Sequence, residues 1–360
     1  MKKFKLSAML LFAAMLVFSA CGGGGGGSDD PDNPSDDPKD TTATLDINGN
    51  TYTYTLPGGT EYKAMLTPDI AATNKFPCNI DADDNFDEET DVANVPARFI
   101  MCETEVTYEL WNEVYKWATT DAGGGKRADG GVLYAFANTG KKGGYTDGTS
   151  ILTDQHPVTY INWCDTIVWC NALTEYYNAN NGSETDLVCV YTCSGAIIRD
   201  SGDSNATACD NAVQSTTAKG FRLPTSIEWE YAARYRGNDS ANTVSGYTNP
   251  YYTQGNSASG ATADYNNASA TSAVAVYGAT STAAVKSKGA AGANALGLCD
   301  MSGNAWEWCF DWYPDFSGSK RVLRGGGFSF FVINMQLGFV NRSYPYDEYS
   351  GVGFRFSRNL

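Results

Sequence analysis

A single histidine, His156, stands among the 360 residues. That shortage removes every site built from several imidazoles, and any Ser/His/Asp arrangement would have to use this one residue. No GxSxG segment accompanies it to set up a nucleophile, and a histidine directly before Pro157 reads as a turn residue at the mouth of a strand. Metal-type cysteine pairs are missing too. No CxxC occurs, and Cys189 and Cys193 stand four apart without the second pair that a zinc site needs. Positive charge is scarce: Lys and Arg total 25 against 41 Asp and Glu, and the formal charge of −16 repels phosphate backbones and anionic headgroups. Nucleic acid is not expected as a partner.

A long apolar run occurs at the start, in MKKFKLSAMLLFAAMLVFSA, where Lys2, Lys3 and Lys5 precede apolar residues that end in small ones directly before Cys21. Residues 1–20 therefore read as an export signal rather than a membrane span. FSA-C is a loose form of the bacterial lipoprotein signature, in which the cysteine becomes the acylated first residue; the alternative is an ordinary signal with an incidental cysteine. Residues 21–44 follow as a tether. Gly22 to Gly27 are all glycine, and Asp29, Asp30, Asp32, Asp36, Asp37 and Asp40 lie among prolines, a composition that cannot bury apolar area. The expectation is an exported chain, lipid-anchored through Cys21 at a bacterial outer membrane or cell surface, that touches the membrane only through its anchor.

With 42% hydrophobic residues, the chain can bury a large core, and one domain from 45 to 360 is expected. Ten cysteines in an exported chain make disulfides an option, and with Cys21 acylated at least one of the other nine is unpaired. Cys193 and Cys209 bracket the polar segment IIRDSGDSNATA. They read either as a disulfide closing that loop or as two free buried thiols.

NGNTYTYTLPGG alternates like an opening strand pair, Lys63 to Asn94 reads as a long acidic loop, and ARFIMCETEV has strand character. Thr107 starts a helix carrying Leu110, Val114 and Trp117; Asn162, with Asp165 three residues on, caps a second that turns Ile167, Val168 and Cys170 inward. In RLPTSIEWEYAARYRG, Thr225 and Glu228 form a capping box, Ile227, Tyr231 and Ala232 supply an apolar face, and Gly237 stops the helix. Asn238 to Ala293 reads as an ordered loop region anchored by Tyr251, Tyr252, Tyr265 and Tyr277. Arg222, Arg324 and Arg355 stand beside glycine or aromatic residues and are expected to pair, buried, with Glu228, Glu230 or Glu307.

Six segments in a set order, EVTYELWNEVYKW, HPVTYINWCDTIVWCNAL, GFRLPTSIEWEYAAR, NALGLCDMSGNAWEWCFDWY, RVLRGGGF and GVGFRF, resemble the formylglycine-generating enzyme family, or sulfatase-modifying factors. The resemblance covers roughly residues 50 to 360 and implies an α+β, C-type lectin-like fold rich in irregular structure. The family's oxidising enzymes hold copper(I) through two thiolates five residues apart, shortly after the RGG segment. The matching positions here are about Phe330 and Met335, neither of which can be a thiolate, so copper is not expected. Relatives that use non-haem iron need several histidines, and iron is not expected either. A calcium ion is carried over more readily. In DMSGNAWE the resemblance places Asp300 and Glu307 as side-chain ligands, with carbonyls from Gly303 and Ala305. The competing reading has both carboxylates capping the turn and pairing with arginine.

From Phe328 to Ile333 the residues alternate as a strand would, with apolar side chains on both faces: either the strand is buried on both sides or one side is a binding patch. Tyr344, Tyr346 and Tyr349 with Asp347 make the tyrosine-rich mixture that paratopes favour. The RGG start, MQLGFVNR and the terminal GFRF also resemble the variable proteins of diversity-generating retroelements, whose final codons are rewritten on a fixed lectin-fold scaffold. That resemblance makes 324–360 a candidate variable region. Its framework is Arg324 to Gly326, Met335 to Phe339 and Val352 to Phe356. Its ligand-contacting positions are Phe328, Phe330, Phe331, Val332, Ile333, Asn334, Tyr344, Tyr346, Asp347 and Tyr349. The implied function is non-catalytic binding of a protein or glycan at the cell surface. The alternatives are an invariant structural or adhesive lipoprotein of the same fold and, last, a formylglycine-generating-type oxidase.

Overall fold

Tyr54 in the strand Thr51–Thr55 lies opposite Tyr62 in Glu61–Leu66, and the two rings stack with centroids 4.8 Å apart and planes 6° from parallel. This cross-strand aromatic pair fixes the register of the opening hairpin. The computed structural model describes residues 44–45, 49–79, 91–120, 131–181, 187–202 and 206–360, all within one unit, Pro38–Leu360. The export signal, Cys21 and most of the tether lie outside the described residues.

The hairpin belongs to a six-stranded sheet in the order Thr44–Leu45, Thr51–Thr55, Glu61–Leu66, Phe99–Cys102, Ser357–Asn359, Phe221–Arg222, antiparallel at every step. The chain's last strand is thus held between Phe99–Cys102 and Phe221–Arg222, which brings the two ends of the domain into one sheet. The long loop expected over Lys63 to Asn94 is corrected here. Glu61–Leu66 is a full strand, and Lys75–Pro77 pairs with Val92–Asn94, because Tyr62, Ala64, Leu66 and Phe76 bury apolar side chains that the acidic composition masks.

Helix Tyr108–Thr119 begins where Thr107 Oγ1 accepts from the amide of Leu110 at 3.2 Å, and it buries Leu110, Trp111, Val114 and Ala118 at helical spacing. At the start of helix Trp163–Asn181, Asn162 and Asp165 cap each other: each backbone N–H donates to the other's side-chain oxygen, at 3.0 and 2.8 Å. Every residue from Ile161 to Thr174 is buried, including Ile167, Val168 and Cys170, so the first turns of this helix run through the core with no wet face. Helix Ser226–Arg234 has the full capping box between Thr225 and Glu228. Its end differs from expectation. Tyr235 turns to extended backbone directly after Arg234, and Gly237 lies in the strand Tyr235–Gly237 that follows.

The second sheet positions the C-terminal face. Its order is Asn341–Ser343, Arg321–Arg324, Trp306–Trp312, Val352–Gly353, antiparallel twice and then parallel. Leu323 sits opposite both Trp308 and Asn341, and Trp306 opposite Val352, so side-chain alternation gathers these residues on one face. Glu307 and Arg324 pair on the other.

Phe328 to Ile333 is not the strand that its alternation suggests. Gly325 and Gly326 adopt φ of +94° and +85°, which ends Arg321–Arg324, and the chain then folds through a turn into the 3-10 segment Val332–Met335. The amide of Phe330 donates to Gly327 O and that of Asn334 to Phe331 O, closing both turns.

Candidate binding face

Between the C-terminal sheet and the loops at Phe330 and Tyr349 lies a cleft of 370 Å³. Trp306, Leu323, Val352 and Asn341 line it, one from each of the four strands of the sheet, together with Phe330 and Tyr349 from the loops. Phe330 stands at 90° to Trp306 with centroids 5.5 Å apart. The indole Nε1–H of Trp306, a residue only 1% exposed, has no hydrogen-bond partner.

In the same C-terminal segment, Phe330, Phe331, Ile333, Tyr344, Tyr346 and Tyr349 are exposed; Phe331 is the extreme at 81%. Asp347 organises the tyrosine loop from within, because its Oδ2 accepts from Ser343 Oγ at 2.8 Å and from Tyr349 Oη at 2.9 Å. Pro345 O and Tyr349 O accept from the amides of Trp163 and Tyr160, which ties the loop to the buried helix. Tyr346 donates to Asp210, and burial together with that carboxylate raises the phenol above its ordinary range. Lys320 Nζ lies 4.8 Å over the Tyr344 ring.

The candidate contact residues are therefore not one set. Phe328 is 1% exposed: its amide donates to Asn304 O and its carbonyl accepts from Ala279, so it is core rather than contact surface. Val332 and Asn334 are half-buried, and a Cβ at Gly326 would meet Asn334 O at 2.6 Å, so this stretch is packed against the RGG turn. Of the other seven candidates, Phe330 and Tyr349 line the cleft, and Asp347 is tied to its wall through Ser343 and Tyr349. Sequence reading missed its floor, which is Trp306 together with Leu323, Asn341 and Val352. Their shared face was legible in the alternation of RVLR and WEWCFDW, once the two strands are known to pair.

Asp300 and Glu307 do not take up the calcium arrangement. Both Glu307 oxygens accept from Arg355, at 2.7 Å from Nε and from Nη2, and Oε2 also accepts from Trp229 Nε1 at 2.8 Å. Asp300 Oδ2 accepts from the amide of Lys286 at 2.7 Å. No three His, Cys, Asp or Glu side chains gather as a metal set among the described residues. A calcium ion on Glu307 would share its oxygens with a guanidinium, so the site formed with Gly303 and Ala305 does not fit the ion, and arginine pairing and turn capping take its place. Burial raises the Asp300 carboxyl, and it raises Glu105 nearby well above the usual range, helped by the charges of Asp300 and Glu307.

All nine described cysteines are free thiols. The Cys193–Cys209 bridge is thereby corrected: buried Cys209 donates to Asp200 O at 3.8 Å and hydrogen-bonds with the Cys164 thiol, while half-buried Cys193 lies beside Ser194. Burial pushes Cys78, Cys102 and Cys189 up to about 12 and Cys299 to about 11, so these thiols keep their protons. His156 Nδ1 accepts from the amide of Thr153 at 3.0 Å, and burial lowers its pKa. Met335, at the second of the family's cysteine positions, is fully buried against Ala258, Ala261, Val274 and Ala275.

The sulfatase-modifying factor enzyme 1-like domain matches residues 50–360. The chain belongs to that family. Treponema denticola variable protein 1 has a similar structure, with a TM-score of 0.57 at 26% identity over 86% of this chain and 99% of that one. The formylglycine-generating enzyme of Streptomyces coelicolor is 35% identical over 130 residues, 30% of this chain and 36% of the enzyme. Chaperone protein LppX of Paenibacillus barcinonensis is 32% identical over 211 residues, 53% of this chain and 64% of that protein. The chain thus spans less than two thirds of the length of these curated relatives. The α+β, C-type lectin-like fold of this sulfatase-modifying factor domain is the one that its motifs imply.

Proposed function

We propose that this sulfatase-modifying factor protein is a lipoprotein, acylated at Cys21 and displayed at the cell surface, that binds a ligand on its C-terminal face and performs no catalysis. The observation that carries the reading is the set of exposed apolar and tyrosine side chains at Phe330, Phe331, Ile333, Tyr344, Tyr346 and Tyr349, of which Phe330 and Tyr349 line a cleft. Exposed apolar side chains beside a cleft are what an interaction site presents. Phe330 stands where an oxidising relative places a thiolate, so the cleft offers contact area in place of a copper ligand. The similarity to a variable protein supports a face whose residues change while the scaffold stays. No copper or iron is needed.

Metabolic labelling and surface proteolysis test the anchoring. Radiolabelled palmitate is expected in the wild type and not in Cys21→Ala, and protease added to intact cells is expected to remove the domain. An unlabelled wild type, or a domain that survives the protease until cells are lysed, would contradict display.

A further inference from the structure

The tyrosine loop of the C-terminal face is anchored beside two buried cysteines. Pro345 and Tyr346 are consecutive, and each is held by the body of the domain: Pro345 O accepts from the amide of Trp163 at 3.1 Å, and Tyr346 Oη donates to the Asp210 carboxylate. Cys164 follows Trp163 at the start of helix Trp163–Asn181, and Cys209 precedes Asp210 in the short helix Ala206–Asp210. The anchors of two adjacent loop residues thus bring these cysteines together from separate stretches of the chain, and their thiols hydrogen-bond. Burial, Asp210 and both thiols raise the Tyr346 phenol, so the pair lies close to that side chain.

Both sulfurs are sealed in the main apolar cluster, with Cys164 1% exposed and Cys209 fully buried. Neither belongs to a metal set among the described residues. A thiol is a weak donor and a weak acceptor, so contact between two of them contributes little as it stands. Joining the sulfurs contributes far more, because the unfolded chain then loses the freedom of the whole loop from 164 to 209. Thiols in contact stay reduced in a cytosol, and an exported chain meets the opposite conditions.

We propose that Cys164 and Cys209 are joined by a disulfide in the exported protein, clamping helix Trp163–Asn181 to the segment Ala206–Asp210 beside the tyrosine loop. The inference rests on the export reading above. The oxidant is a protein disulfide of the export compartment. One thiolate of the pair attacks a sulfur of that disulfide and releases the other sulfur; the second thiolate then attacks the mixed disulfide and releases the oxidant. Two electrons and two protons pass from this chain to the oxidant, whose disulfide becomes a dithiol. Because the folded domain seals both thiols, the exchange takes place as the chain folds, before the core closes over them.

The test collects the full-length protein from its own cells into acid, denatures it, blocks free thiols with N-ethylmaleimide and digests it with trypsin and chymotrypsin without reductant. Cleavage after Trp163, Trp169, Arg199 and Lys219 is expected to leave residues 164–169 linked to residues 200–219, as one species that separates on reduction. A palmitate-labelled, surface-displayed protein in which both cysteines carry maleimide would overturn the disulfide. A second arm refolds the reduced full-length protein in a mixture of oxidised and reduced glutathione. If the cellular protein has free thiols and is neither labelled nor displayed, linkage in glutathione means that the export reading alone has failed; no linkage there overturns the pair as well. In the linked protein, reductant is expected to lower the Tm by about 5 °C or more and to leave that of Cys164→Ala in place. An equal fall in Cys164→Ala would assign the stabilisation to other sulfurs and overturn the clamp.

Discussion

Arg355 grips Glu307 through two hydrogen bonds of 2.7 Å, Nε to Oε2 and Nη2 to Oε1, with neither side chain exposed. The same guanidinium donates to Cys102 O and Cys299 O, so one side chain joins the C-terminal segment to strand Trp306–Trp312 and to the end of strand Phe99–Cys102 inside the large sheet. Removing one partner of such a buried pair leaves an uncompensated charge. Arg355→Met is expected to lose about 3–5 kcal/mol in chemical denaturation; a loss below about 1 kcal/mol would show that the pair is not what holds these segments.

The arginine also decides the metal question. With Glu307 held by Arg355 and Trp229, chelation is expected to leave the melting temperature unchanged. A Tm that falls in EDTA and returns with added calcium would show that an ion competes successfully for these oxygens.

Stability should depend on pH through acids, not bases. Burial raises Glu105, Asp165, Asp300 and Asp311 in the folded state. The native chain therefore holds protons that the unfolded chain has released, and stability is lost as pH rises through the folded values. His156, lowered by burial, opposes this only on the acid side of its usual range. Glu105 faces Asp300, Glu307 and Arg355, and Glu105→Gln is expected to flatten the decline in unfolding free energy measured between about pH 5 and about pH 8. An unchanged slope would mean that Glu105 is already ionised.

Side chains of the candidate face divide sharply. Phe328→Ala opens a hole in the core and is expected to cost about 3–5 kcal/mol. Phe331→Ala, at a position 81% exposed, should change stability by no more than about 0.5 kcal/mol. Equal losses would contradict the placement of Phe328 and Phe331 on opposite sides of the surface.

Much of this architecture was legible in the residues. Capping chemistry is local, so Thr107, Asn162 with Asp165, and Thr225 with Glu228 announced three helices at their true starts. Arginine pairing was readable as a type: Arg222 meets Glu228, Arg324 meets Glu230 and Arg355 meets Glu307. What failed depended on a backbone turn just outside the segment or on neighbours far away in the chain. Alternation alone made Phe328 to Ile333 a strand, whereas two left-handed glycines ended the sheet just before it. The same carboxylate in DMSGNAWE suits calcium or arginine, and only the arrival of Arg355 48 residues later selects between them. The cleft's floor comes from strands that pair across non-consecutive positions, which no local pattern reveals.

The most direct test of the central claim is to sequence the 3′ end of the gene in independent isolates, together with the DNA beside it. Substitutions concentrated at the codons for Phe330, Phe331, Ile333, Tyr344, Tyr346 and Tyr349, with Arg324 to Gly326, Trp306 and Leu323 fixed, are the expected result, and a near-copy of the segment differing mainly at adenines should lie nearby. An invariant 3′ end with no such copy would contradict a variable binding face.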